Sequence, residues 1–307
     1  MTNNSAALSD RRRPGPNTLL ANLCLAAAGA LWGTGFLFAK LAFAEMTVFE
    51  NVLFRFLFAS VVLVPFLFRG VGKFSRKDFW LLLLASVVGV PVQFLVQFKG
   101  LELTTVSHAA LMVGTLPMLV ALSSVLFLQE HLSWLEWTAL VLSAFGVVLI
   151  AISKGSAQGP QASAKGDVLV LVSMLAAVVM ILIAKRLMRE YDPLHLTASM
   201  LILGTVILVA CFVATQPVRL HFSQRAWLAV AAQGTLATAI AYICWNWGLA
   251  RVPASRAGVF LNLEPLVGPL LGVWILHETL GSLAILGGGM IIAAAVYFST
   301  RNSTSGG

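Results

Sequence analysis

Ten apolar runs occupy most of the chain, at 19–42, 47–68, 79–98, 103–128, 134–153, 167–187, 194–215, 226–249, 254–276 and 282–299. Each approaches the roughly 20 residues that a helix needs to cross the hydrocarbon core of a bilayer. The connections are too short for a soluble domain. Composition points the same way: 59% of residues are hydrophobic, 10% are charged, and mean hydropathy is +0.91, whereas soluble domains carry about 25% charged residues. The sequence therefore predicts an all-α polytopic membrane protein with ten transmembrane helices.

One stretch occurs twice. Ser107–Leu132 slides onto Ser255–Leu280 without a gap at an offset of 148 residues, pairing Ser107 with Ser255, Pro117 with Pro265 and Glu130 with Glu278. Gly100-Leu101 meets Gly248-Leu249 at the same offset, and Ala39-Lys40 meets Ala184-Lys185 at an offset of 145. Five helices per half is an odd number, so the second half must enter the membrane upside down. The expected organisation is a tail at 1–18, a first repeat at 19–153, a linker at 154–166, a second repeat at 167–300 and a tail at 301–307. Two inverted five-helix repeats around a central cavity are the hallmark of many secondary transporters, whose substrate sites lie near the midplane.

Basic residues set the orientation. With the N-terminus in the cytoplasm, thirteen Lys and Arg residues fall inside and six outside, with Arg55 left in a span, which favours both termini inside. This use also accounts for the net charge of +8, so nucleic acid is not expected as a partner. Arg11, Arg12 and Arg13 precede an apolar run long enough to span, read as a retained first helix.

Enzyme signatures are absent: there is no GxxxxGK[ST], no HExxH and no CxxC. His108, His131, His195, His221 and His277 are dispersed without metal-ligand spacing, and no metal or cofactor is expected. Cys24, Cys211 and Cys244 read as lone packing thiols.

Polar groups inside a membrane are costly and are candidates for function. Glu264 lies nine residues beyond Ser255, near mid-membrane and just before Pro265, which frees a backbone carbonyl one turn earlier. It reads either as a counter-charge or proton site in a cavity wall, or as a neutral lock between helices. In span 8, Tyr242, Trp245 and Asn246 share a helical face. Span 3 supplies Gln93 and Gln97 one turn apart. An amide and aromatic wall suits a zwitterion with an apolar side chain. The repeats differ just before their prolines, where Gly114, Thr115 and Leu116 stand opposite Asn262, Leu263 and Glu264. The expected cavity residues are thus Gln93, Gln97, Thr115, Tyr242, Trp245, Asn246, Asn262 and Glu264. Pro117 and Pro265 are the expected hinges, with Lys40 and Lys185 as candidate gates. Arg55 reads as a headgroup snorkeller first and an ion-pair lock to a neighbouring helix second, and Glu130 and Glu278 as turn and cap residues. Ser75 with Asp78 and Ser133 with Glu136 match helix-capping patterns. Gly29 with Gly33 and Gly289 with Ala293 form small-xxx-small pairs; the second also allows a homodimer through the tenth span.

ALWGTGFLFAK, VLFRFLFASVVLVPF, LPMLVALSSVLFLQEHLSWLEWTALVLSAFGVVLI and LEPLVGPLLGVWILHETLGSLAILGGGMIIAAAVYF, in that order, resemble the EamA-type exporters of the drug/metabolite transporter superfamily. The match covers about residues 19–300. The resemblance implies ten helices in inverted repeats and ATP-independent efflux of small metabolites through an inner membrane. FKGLEL and AYICWNWGLA are similar to the amino-acid exporters of that superfamily, the YddG-type aromatic amino-acid exporters among them. The reading is export of amino acids and related metabolites by alternating access. Multidrug or nucleotide-sugar export and an intramembrane enzyme are the alternatives.

Overall fold

The computed structural model describes residues 16–69, 74–116, 118–119, 122–123, 134–153, 162–215, 219–249, 251 and 260–301. Among the described residues there is no strand. The helices are α1 (Pro16–Ala42), α2 (Val48–Leu63, extended by a 3-10 turn over Val64–Arg69), α3 (Arg76–Val87), α4 (Gln93–Leu103), α5 (Val106–Val113), α6 (Trp134–Ile152), α7 (Ala164–Leu187), α8 (Pro193–Thr215), α9 (Gln224–Gly234), α10 (Ala241–Leu249), α11 (Glu264–Leu276) and α12 (Ser282–Arg301). Two π segments, Val88–Val92 and Thr235–Ile240, join α3 to α4 and α9 to α10.

Six stretches are long and apolar enough to cross a membrane: Leu19–Ala42, Val48–Phe68, Arg76–Leu103, Ala164–Leu187, Pro193–Cys211 and Gln224–Leu249. Shorter apolar helices cover Trp137–Ile150, Glu264–Leu276 and Ser282–Ala294. The chain is a multi-pass membrane protein. Of the run at 103–128, only α5 and a few later residues are described; Pro117, Glu130 and Ser133 lie outside the described residues.

Apolar side chains lie on both sides of this bundle. Phe56, Phe98, Met112, Met174 and Leu201 are sealed inside, while Val61, Phe68, Leu270 and Trp274 point outward. In lipid the outward set costs nothing, so packing rather than hydrophobicity must bring the helices together. Glycines allow that approach. A Cβ on Gly29 would sit 2.2 Å from the carbonyl oxygen of Phe260, and one on Gly33 would sit 2.8 Å from Val267 Cβ. The first small-residue pair thus seats α1 against the chain leading into α11 and α11 itself. Gly146 and Gly287 do the same between α6 and α12. Nothing lies within 4 Å of a Cβ placed on Gly289, so α12 packs through Gly287 and not through the expected Gly289–Ala293 pair.

Helix starts follow local chemistry. The expected cap of α3 is present, with Asp78 N donating to Ser75 Oγ at 3.1 Å. Thr47 and Glu50 close a reciprocal capping box on α2, which satisfies free N–H groups at both ends of the motif. The two π segments coincide under the duplication: Val88–Val92 displaced by 148 residues falls on 236–240. The first contains Pro91, which removes a backbone donor; the second forms without a proline.

Candidate functional site

The structure corrects the reading of Arg55. Its side chain does not reach for the headgroups; it is 4% exposed. Arg55 lies seven residues beyond Val48, the first residue of α2, or about 10 Å at 1.5 Å per residue. Its Nε donates to Thr238 Oγ1 at 2.6 Å and its Nη2 to the Ala237 carbonyl at 3.4 Å. Both acceptors belong to the second π segment, where the widened turn changes the α-helical hydrogen-bond pattern. The guanidinium carbon also stands 4.4 Å from the Phe94 ring centroid and 5.1 Å from that of Phe98. A planar cation is suited to donating in its plane and stacking on its face at once. The N-terminal end of α2 has its own arginine: Arg219 makes a bidentate pair with Glu50 at 2.7 and 2.6 Å. That bond holds the Arg219 guanidinium above its ordinary pKa.

Tyr242 and Glu264 both interact electrostatically with Arg55. Trp32 of α1 stands edge-on to Tyr242 at 5.5 Å and tilted against Trp245 at 5.3 Å. The site therefore combines one buried cation, one deep carboxyl group, a phenol and a wall of aromatic rings. Glu264 opens α11 after a turn at Asn262 and Leu263. Pro265 occupies the first turn of that helix, where a missing N–H costs nothing. The helix break expected from Pro265 is thus present at Glu264. Gln233, missed in the sequence, braces this region: Asn51 donates to its Oε1 at 3.0 Å, and its Nε2 donates to the Gly35 carbonyl at 3.1 Å. Its only sequence signal was an amide in an apolar run.

The other expected cavity residues divide. Asn246 is buried and donates to Thr197 Oγ1 at 2.5 Å, so it ties α10 to α8. Thr115 Oγ1 donates to the Met112 carbonyl in its own preceding turn at 2.7 Å. Asn262 is buried in the turn before Glu264. Gln93 and Gln97 are buried, and neither Oε1 atom has a hydrogen-bond partner among the described residues. Their spacing puts them on the same strip of α4 as Gly100, which packs on Gly166 and Val170 of α7; Phe94 and Phe98 carry the face toward Arg55. Of the candidate gates, Lys40 is partly buried and donates to the Thr104 carbonyl at 2.5 Å, whereas Lys185 is exposed. Cys24 on α1 and Cys244 on α10 are free thiols, both partly buried. Two apolar grooves, of about 310 Å³ beside Leu270 and Trp274 and about 230 Å³ beside Leu57 and Val206, lie on the outward surface away from this site.

Comparison with known proteins agrees with this architecture. The sequence profile of the EamA-like transporter family matches twice, over residues 19–152 and 164–300. An uncharacterized transporter of Archaeoglobus fulgidus is 28% identical over 285 residues, covering 91% of this chain and 96% of that protein. The uncharacterized transporter YetK of Bacillus subtilis is 28% identical over 269 residues, covering 84% of this chain and 80% of YetK. A solved crystal structure with 20% sequence identity has the same fold, with a TM-score of 0.65 over 92% of this chain and 98% of the other. This chain belongs to the EamA-like transporter family of the drug/metabolite transporter superfamily.

Proposed function

We propose that the protein exports amino acids, aromatic and neutral ones above all, and related small metabolites across the inner membrane by alternating access. The observation that carries this reading is a buried Arg55 within electrostatic reach of Glu264, beside an aromatic wall. Arg55 would hold a carboxylate, with guanidinium N–H groups left over after Thr238 and Ala237. Glu264 would hold an ammonium, and Trp32, Tyr242 and Trp245 would take an apolar side chain. The charge pair also weighs against the alternatives. A cationic drug meets Arg55, and the phosphates of a nucleotide sugar meet Glu264; a zwitterion satisfies both.

The framework in this proposal is ten helices in two inverted repeats, with both termini cytoplasmic. The 148-residue offset and the coincident π segments support it. The hinges would be Pro117, Pro265 and the π segments, with Lys40 and Lys185 gating opposite ends. A homodimer would use the outward face of α12, where Gly289 is open. Proteoliposome uptake of labelled phenylalanine and leucine tests the substrate class. Saturable uptake should be inhibited by the intact amino acids, and far less by the decarboxylated amine or the deaminated acid. Equal inhibition by the amine, or transport of a nucleotide sugar alone, refutes the zwitterion site.

A further inference from the structure

At the end of the bundle where α1 stops, a second group of buried ionisable residues takes no part in the Arg55–Glu264 site. His108 Nδ1 lies 3.0 Å from Asp167 Oδ2, and the two residues are 2% and 1% exposed. Thr104 Oγ1 donates to the other carboxylate oxygen at 2.6 Å. Lys40 of α1 donates to the carbonyl of the same threonine. From the α11–α12 connection, Glu278 accepts from Val106 N, Ser107 N and Ser107 Oγ at 2.7–2.8 Å. The short junction between α4 and α5 is therefore held by three distant segments. Glu102 and Lys99 form an exposed pair nearby, and both Glu102 and Glu278 interact electrostatically with Lys40.

Charge bookkeeping in this cluster comes out unbalanced. With the carboxyl groups ionised, Lys40 contributes +1 and Asp167 and Glu278 contribute −1 each, a net −1 beside a neutral His108. One more positive charge would balance it. Among the described residues no group of three His, Cys, Asp or Glu side chains is placed to hold a metal ion. Imidazole offers a nitrogen instead. With Nδ1–H donating to the carboxylate, Nε2 keeps its lone pair and takes up a proton, giving an imidazolium held by Asp167. Release reverses the same bond.

A second observation lies along the same α4–α7 seam. Gln97 and Gln93 follow Thr104 toward the middle of the membrane, and the eleven residues from Gln93 to Thr104 span about 16 Å. Both amide oxygens are more than nine-tenths buried and have no partner among the described residues. Buried acceptors of this kind call for a partner, so the two amides mark a polar strip that leads from Thr104 into the bundle.

We propose that His108 and Asp167 form the proton site of this transporter, reached along the Gln93–Gln97 seam, and that proton binding there drives transport at the separate Arg55–Glu264 site. The proposal rests on the transport function above. Its test compares wild type with Asp167→Asn and His108→Gln in proteoliposomes, using phenylalanine as probe. Both variants should keep phenylalanine–phenylalanine exchange at symmetric pH and lose efflux driven by a pH gradient by at least about tenfold. Exchange in the wild type with no response to a pH gradient, or gradient-driven efflux unchanged in both variants, overturns the proton site. Absence of any amino-acid exchange in the wild type counts against the substrate and not against the proton site. That site is then read without substrate, by a labelled-histidine NMR titration of the purified protein. The His108 signal should follow pH and move in Asp167→Asn. A His108 signal that ignores both pH and the substitution refutes the proposal.

Discussion

Glu278 offers a perturbation whose size follows from geometry. Its carboxylate, 3% exposed, accepts from two of the first N–H groups of α5 and from the Ser107 hydroxyl. Those N–H groups have no partner within their own helix. Hydrogen bonds to a charged group contribute about 1.5–3 kcal/mol each, and a buried donor left alone costs about 1–3 kcal/mol. Glu278→Ala removes three such bonds at once and orphans two backbone donors. Because the three share one carboxylate, the total should fall short of the sum, at about 3–5 kcal/mol. Ser107→Ala removes a single donor and should cost about 1 kcal/mol. Gly272→Ala reaches the same group from behind. Its Cβ would lie 2.4 Å from Glu278 Oε2 and 2.6 Å from Ser107 Oγ, so the cap must shift. Denaturant or thermal unfolding of the purified protein, followed by tryptophan fluorescence, measures all three. The Ser107/Glu278 double variant should cost little more than Glu278→Ala alone. A Glu278→Ala protein within about 0.5 kcal/mol of wild type refutes the cap, and strict additivity of the double variant refutes the shared carboxylate.

Arg55→Lys keeps the charge but loses the planar fork that binds Thr238 while stacking on Phe94; transport efficiency should fall by at least about tenfold with the protein still folded, and flux equal to wild type would remove Arg55 from the site. Glu45 is exposed and accepts from the hydroxyl and backbone N–H of Ser223 at the start of α9, which lowers its pKa below the ordinary 4.5. Its contribution is therefore present above that value and fades as pH falls through the depressed one; Glu45→Gln should flatten the acid side of the stability profile, and an unchanged profile would contradict it.

What the sequence made legible was whatever its local pattern determines. Apolar runs marked six long membrane-crossing stretches and three shorter apolar helices among the described residues, Pro265 marked the break at Glu264, and Ser75 marked the start of α3. Arg55 was misread because its partners, Ala237 and Thr238, stand 182 and 183 residues away and sit in a π segment with no proline to announce it. Asn246 has the spacing of a cavity residue, yet Thr197 on a neighbouring helix claims its amide. His108 reads in the sequence only as one of five dispersed histidines, and its partner Asp167 is hidden for the same reason, 59 residues away. A helical face is visible in one dimension; the atom that meets it is not.

The duplication itself explains where chemistry concentrates. Shifted by 148 residues, Phe94 falls on Tyr242, Leu116 on Glu264 and His108 on Arg256; shifted by 145, Arg55 falls on Met200 and Asn22 on Asp167. No charged or titratable group of the proposed substrate and proton sites thus has its own kind opposite it in the other half, while the serines, the prolines and the placement of the π segments recur in both. A symmetric site would present like charges to each end of a zwitterion. Placing the cation on α2 of the first half and the acid on α11 of the second gives the cavity a fixed polarity. In the proposed cycle a zwitterion bound there would keep its carboxylate toward one half as the halves rock. Moving the acid to the other half, by Glu264→Leu with Leu116→Glu, should therefore fail to restore the flux lost in Glu264→Leu alone. Full recovery would mean that only the charge count matters and that the fixed polarity is irrelevant.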